Sequence, residues 1–228
     1  MQCFCRETDS EFILCVEGAP ESAWDEIRKA FFEQEQTSFT KRYAASVLDK
    51  ETIRENFPKY APDMFTRRTF DWPQALATFA EIAAAHNITW YLTGSMAAVV
   101  RGIDIVPHDI DIIVETTAFE KTRVAFREYL LEPFVDNEGA WVVRYFGRLC
   151  IAGVMVDIAA DESRDTRAMK LESVAWGPYT LRTETLQTCL EVNMQRGREQ
   201  HASKIRAYQN RRKAPAFRSS LNTHLTQE

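Results

Sequence analysis

The chain has 228 residues, 45% hydrophobic and 27% charged, with a formal net charge of −5. That is an ordinary globular composition, with room for one large domain or two small ones. No apolar run approaches the roughly twenty residues of a membrane span, and Met1–Glu7 lacks the basic start and apolar core of a secretory signal. A cytoplasmic protein without membrane association is therefore expected.

Residues 1–16 read as a hairpin, with Gln2 to Glu7 and Glu11 to Val16 flanking the turn-prone Thr8-Asp9-Ser10. The five cysteines are an odd number, which favours reduced thiols. Cys3, Cys5 and Cys15 lack a nearby fourth ligand for structural zinc. Trp24, Ile27 and Phe31 recur at helical spacing, and Phe32 widens the stripe, which predicts a helix over 20–34. Tyr43 to Leu48 reads as a strand and Lys50 to Phe57 as a short helix, which Pro58 and Pro62 should end. Residues 1–70 thus read as a small α+β module or as an extension packed on the main domain.

A second unit, residues 71–182, begins with Asp71 as helix cap and Pro73 in the first turn, above the stripe Leu76, Phe79, Ile82 and Ala83. Asn87 closes that helix. Ile88 to Leu92 is the next strand, and Ser95 is placed to cap a short helix ending near Gly102. Asp109 to Glu115 is a strand and Thr117 to Leu131 a helix. Strands follow at Trp141–Tyr145, Arg148–Ile151 and Val154–Ala159, then a hairpin over 173–182 around Gly177-Pro178. Residues 183–213 are a helical region broken near Gly197, and 214–228 a polar tail. The fold class is α/β (α+β), a mixed sheet with flanking helices.

Alternate residues of a strand share a face, so Asp109 and Asp111 point one way while Ile110 and Ile112 point the other. Their Cα atoms lie about 7 Å apart, from two strand rises. Convergent carboxylates at that spacing suit a shared hard cation. Asp157 interrupts the apolar run Gly153-Val-Met-Val-Asp-Ile-Ala-Ala160, where an acid needs a partner. If the two strands are neighbours, it joins Asp109 and Asp111 as a metal ligand or as the base for an incoming hydroxyl. Gly94 and Ser95 open a helix, where glycine permits close backbone approach and the first amides favour an anion.

Other residues have two readings each. Residues 195–218 hold eight Lys/Arg against one acid, a local +7 that leaves −12 for the remainder. That stretch meets an anionic partner such as a triphosphate or RNA, or it is a solvated helix face. Arg101 is a phosphate contact or a helix-end residue favoured by the dipole. His108 is a substrate contact or an ordinary turn histidine.

Gly94-Ser95, the thirteen-residue gap, Asp109-Ile-Asp111-Ile and Val156-Asp157-Ile resemble the signature of the polymerase-β-like nucleotidyltransferases. The likeness extends to the small bacterial members that include antibiotic and toxin-type transferases, and covers residues 71–210. Thr93 departs from the apolar residue usual before the glycine. The resemblance implies a nucleotidyltransferase fold and transfer of a nucleoside monophosphate from an NTP, with ATP the expected donor, to a hydroxyl as pyrophosphate leaves. It implies two Mg²⁺ ions held by Asp109, Asp111 and Asp157, with the triphosphate at Gly94 and Ser95. Basic residues of the C-terminal helical region, here Arg198 and Lys204, are expected to approach the triphosphate with Arg101. A small-molecule acceptor leads. A toxin-type transferase acting on tRNA or protein and a non-catalytic nucleotide- or RNA-binding module are the alternatives.

Overall fold

The hairpin at the start of the chain forms from β1 (Gln2–Glu7) and β2 (Glu11–Glu17) in a computed structural model that describes residues 1–66, 71–138 and 143–213. It extends into a four-stranded antiparallel sheet, ordered β1-β2-β4-β3, with β3 (Glu33–Glu35) and β4 (Ser38–Ala44). The helix expected over 20–34 is much shorter: α1 spans only Trp24–Lys29. Phe31 takes φ 65 and ends it, so Phe32 is buried while Phe31 stays 52% exposed.

The helix expected to stop at Phe57 instead runs to Thr66 as α2 (Lys50–Thr66), through both prolines. Each proline removes one intrahelical bond. Pro58 is exposed and Pro62 half-exposed, so the loss falls away from the buried face of Ile53, Phe57, Ala61 and Phe65. The Asn56 amide of α2 donates to Glu128 O and Leu130 O. The N-terminal sheet, α2 and the larger sheet share one apolar core.

That larger sheet is mixed and seven-stranded. It comprises β5 (Trp90–Leu92), β6 (Ile110–Val114), β7 (Leu130–Asp136), β8 (Tyr145–Ile151), β9 (Val154–Ala160), β10 (Leu171–Trp176) and β11 (Tyr179–Glu184). Their order is β10-β11-β5-β6-β9-β8-β7, with β11/β5 and β6/β9 parallel and the other pairs antiparallel. Helices α3 (Trp72–Ala85), α4 (Gly94–Val99), α5 (Phe119–Ala125), α6 (Leu186–Gln195) and α7 (Glu199–Lys213) flank it. Asp71 caps α3 by accepting from the Gln74 amide, and Asn87 leaves the helix at φ 49. Among the described residues no helix is long and apolar enough to cross a membrane.

A third expected helix also differs, while the next two strands form. The helix over 117–131 shrinks to α5, and its last residues open β7, a strand that contains Pro133. A proline is tolerated there because β7 is an edge strand with an irregular register. The strands expected at Arg148–Ile151 and Val154–Ala159 are one tight hairpin, turned by Ala152 (φ 52) and Gly153 (φ 75). Trp141 and Val142 of the other expected strand, and the tail from Ala214, lie outside the described residues.

Gly147 of β8 lies against the Phe134 ring, where an added Cβ would sit 2.1 Å from ring carbon Cδ2. Phe119 packs on the same ring at 4.9 Å, leaving it little room to move. Gly147→Ala should destabilise the fold by about 1–3 kcal/mol in urea denaturation, and Phe134→Leu in the same chain should recover part of that loss.

Candidate active site

Four charged residues form one row across the larger sheet. Asp111 on β6 lies opposite Asp157 on β9, Asp157 opposite Arg148 on β8, and Arg148 opposite Glu132 on β7. β-branched residues alternating with acids give β6 its two faces: Ile110 and Ile112 enter the core, while Asp109 and Asp111 face a cleft of about 1370 Å³. Asp157 and Ala159 of β9 line the same cleft.

The three aspartates each bring a carboxylate oxygen to within 4.8 Å of the others. Burial, then the negative charge of Asp157, pushes Asp109 up to about 6. Burial, then Asp109 and Asp157, pushes Asp111 well above the ordinary carboxylate range. A divalent cation would relieve both causes, and three hard oxygen donors suit magnesium. Gly94 takes φ 62, and a Cβ there would sit 2.3 Å from Asp111 Oδ2. Only glycine meets both conditions, so the turn before α4 closes directly onto the carboxylate.

Arg148 is fully buried and holds both oxygens of Asp157, from Nε to Oδ1 at 2.6 Å and from Nη2 to Oδ2 at 2.8 Å. Its Nη1 donates to Glu132 Oε1 at 2.7 Å and to the Ala30 carbonyl at 2.9 Å. Glu132 Oε2 accepts from Lys41 at 2.5 Å and from the Tyr43 hydroxyl at 2.7 Å, both on β4. Burial alone would raise Glu132, but Arg148 and Lys41 outweigh it and hold the carboxyl down at about 2. Two cations thus balance two anions, and every charge is hydrogen-bonded, the condition under which buried ion pairs are tolerated.

Sequence reasoning missed this network. Glu132 followed a segment read as helix, and Arg148 passed as an ordinary strand residue. The signal was available: an arginine inside Phe146-Gly-Arg-Leu-Cys-Ile151 is as anomalous as Asp157 in its own strand.

The expected phosphate contacts divide. Gly94, Ser95 and Arg198 line the cleft, joined by Arg196 and His108. Arg101 is placed elsewhere, with its side chain 3% exposed and bonded to the carbonyls of Ala97 and Glu184 and to Glu172. Lys204 lies outside the cleft lining and donates to Asp104. Thr93, not Ser95, is the N-cap of α4. The Gly94 amide, expected to meet phosphate, donates to Glu184 at 2.9 Å, and the Thr93 hydroxyl donates to the same carboxylate at 2.8 Å. Glu184 closes β11 at the point where it meets this turn, and was not singled out in the sequence.

Because the folded state raises the proton affinity of Asp109 and Asp111, their stabilising contribution is full below 3.8. It is lost as pH rises through about 6 for Asp109, and as it rises through the raised range of Asp111. Magnesium should therefore raise Tm more near neutral pH than in mild acid. Equal shifts at both, or a shift that survives in Asp109→Asn/Asp111→Asn, would contradict the assignment of the acids as its ligands.

No protein-family model matches the chain, and no curated protein matches it. Two solved structures are similar in fold. One is a candidate nucleotidyltransferase (TM1012) from Thermotoga maritima, at 18% identity and TM-score 0.49 over 62% of this chain and 94% of that one. The other is the antibiotic-resistance factor ANT(2'')-Ia, at 12% identity and TM-score 0.44 over 60% of this chain and 83% of that one.

Proposed function

We propose that this chain transfers a nucleoside monophosphate from an NTP, with ATP the first candidate, to a hydroxyl and releases pyrophosphate. The observation that carries the reading is the convergence of Asp109, Asp111 and Asp157 at the floor of one cleft, beside a turn that only glycine can make. Asp109 and Asp111 would hold two magnesium ions, with Asp157 beside them. When bound, magnesium supplies charge neutralisation to the triphosphate and polarises the phosphorus under attack.

The remaining work belongs to the chain. Ser95, Arg196 and Arg198 face the cleft from the side of α4, α6 and α7 and would bind phosphate oxygens. Asp157 has one N–H from Arg148 on each oxygen and keeps further lone pairs for the cleft, as ligand or as proton acceptor. The acceptor oxygen forms a bond to the α-phosphorus, the bond from that phosphorus to pyrophosphate breaks, and the hydroxyl proton leaves to Asp157 or solvent.

Incubation with labelled ATP, magnesium and separate pools of small hydroxyl compounds, tRNA and cell protein should transfer label to one pool. Asp109→Asn and Asp111→Asn should each cut that transfer at least about 100-fold. Magnesium-dependent ATP binding that survives the double substitution would sink the proposal. Arg198→Ala should raise the KM for ATP about ten-fold, whereas Lys204→Ala should leave it unchanged.

A further inference from the structure

Phe31 occupies the position just past α1 where a left-handed residue is required, and glycine or asparagine is the usual choice there. A phenylalanine at φ 65 is strained, yet the residue is 52% exposed and lines the same cleft as the aspartates. Its neighbour Phe32 fills the core, while the Phe31 ring covers the buried cations Lys41 and Arg148, 5.6 and 5.9 Å from its centroid.

The backbone that holds this ring out is clamped. The carbonyl of Ala30, the residue before it, accepts from both Arg148 and Lys41 at 2.9 Å. The Arg148 guanidinium lies 5.9 Å from the Phe31 ring centroid and 5.3 Å from that of Phe146, a second cleft residue. The same guanidinium holds Asp157. One buried cation therefore holds Asp157 and also lies against an exposed aromatic wall of the same cleft.

Charge narrows what that wall meets. Apart from the three aspartates and the two arginines given to the donor phosphates, Arg196 and Arg198, the cleft carries Lys29 and Arg164 against Glu184 and Glu199, and Lys29 is paired with Glu26. Glu184 is already engaged by Thr93 and Gly94. Once the aspartates hold metal, such a lining gives a polycationic acceptor little to pair with, and the exposed aromatic wall suits an acceptor with a flat ring.

We infer that Phe31, backed by Phe146, is the acceptor subsite, and that it takes a nucleotide whose base stacks on Phe31 while its ribose hydroxyl meets Asp157. This rests on the nucleotidyl-transfer reading above. The nucleotide is either free or the end of an RNA chain, chemistry that the subsite shares between the two.

The test fills the donor side of the full-length protein with magnesium and a non-transferable ATP analogue. It then measures binding of AMP, a short single-stranded RNA and kanamycin by calorimetry. AMP or the RNA should bind, and binding of AMP as tight as that of RNA identifies a free nucleotide, whereas binding of RNA alone identifies a chain end. Phe31→Asn should weaken that binding about ten-fold or more, Phe31→Trp should retain it, and the affinity for the ATP analogue should hold in both. Because asparagine tolerates the left-handed backbone, Phe31→Asn should leave Tm unchanged or raised, unlike a substitution that removes a structural residue. Preferential binding of kanamycin, or AMP and RNA affinities indifferent to Phe31→Asn, would overturn the inference. Failure of the ATP analogue to bind with magnesium would instead overturn the nucleotidyl-transfer reading beneath it.

Discussion

The bidentate pairing of Arg148 with Asp157 is the contact on which the rest of the site depends. Three carboxylates crowded at the floor of one cleft repel one another, and removal from water adds to the cost. Arg148 supplies the only cation in the row Asp111–Asp157–Arg148–Glu132 and sits between the acid cluster and the second sheet. Glu132 in turn keeps the guanidinium from carrying an uncompensated buried charge, and Lys41 does the same for Glu132. Each group makes the next one tolerable.

That chain of compensation gives the N-terminal sheet a chemical connection to the cleft. Lys41 and Tyr43 of β4 reach Glu132, while Arg148 reaches back to the Ala30 carbonyl between α1 and β3. The apolar core runs through both sheets, so the polar network is set in a packed interior that resists rearrangement. The glycine turn works from the opposite side, where the absent Cβ of Gly94 lets Asp111 lie against the start of α4. The acids are thus held from two directions by devices of different kinds, one electrostatic and one steric.

The three acids were legible in the sequence because each violates a local pattern: Asp109 and Asp111 alternate with isoleucines, and Asp157 interrupts an apolar strand. The mixed sheet with flanking helices was legible from the order of elements. What hid was non-local. Leu130 and Leu131 read as the end of a helix but open β7, an edge strand that also admits Pro133. Pro58 and Pro62 suggested a break that the packing of Phe57, Ala61 and Phe65 overrides. The different placements of Arg101 and Arg198 depend on which way a helix end faces, and spacing along the chain does not encode that. Phe31 looked like part of a helical stripe because periodicity reports the side chain and says nothing of a left-handed backbone.

The clamp on Ala30 also has a consequence in time. Lys41 and Glu132 are 91 positions apart, and Arg148 and Ala30 are 118 apart. During synthesis, residues 2–44 emerge long before β7, β8 and β9, so β4 waits with a lysine whose counter-charge does not yet exist. Contacts of such long sequence separation close late, after their loop entropy has been overcome. The electrostatics of the cleft are therefore completed only by contacts that wait for β7, β8 and β9, late in the making of the chain.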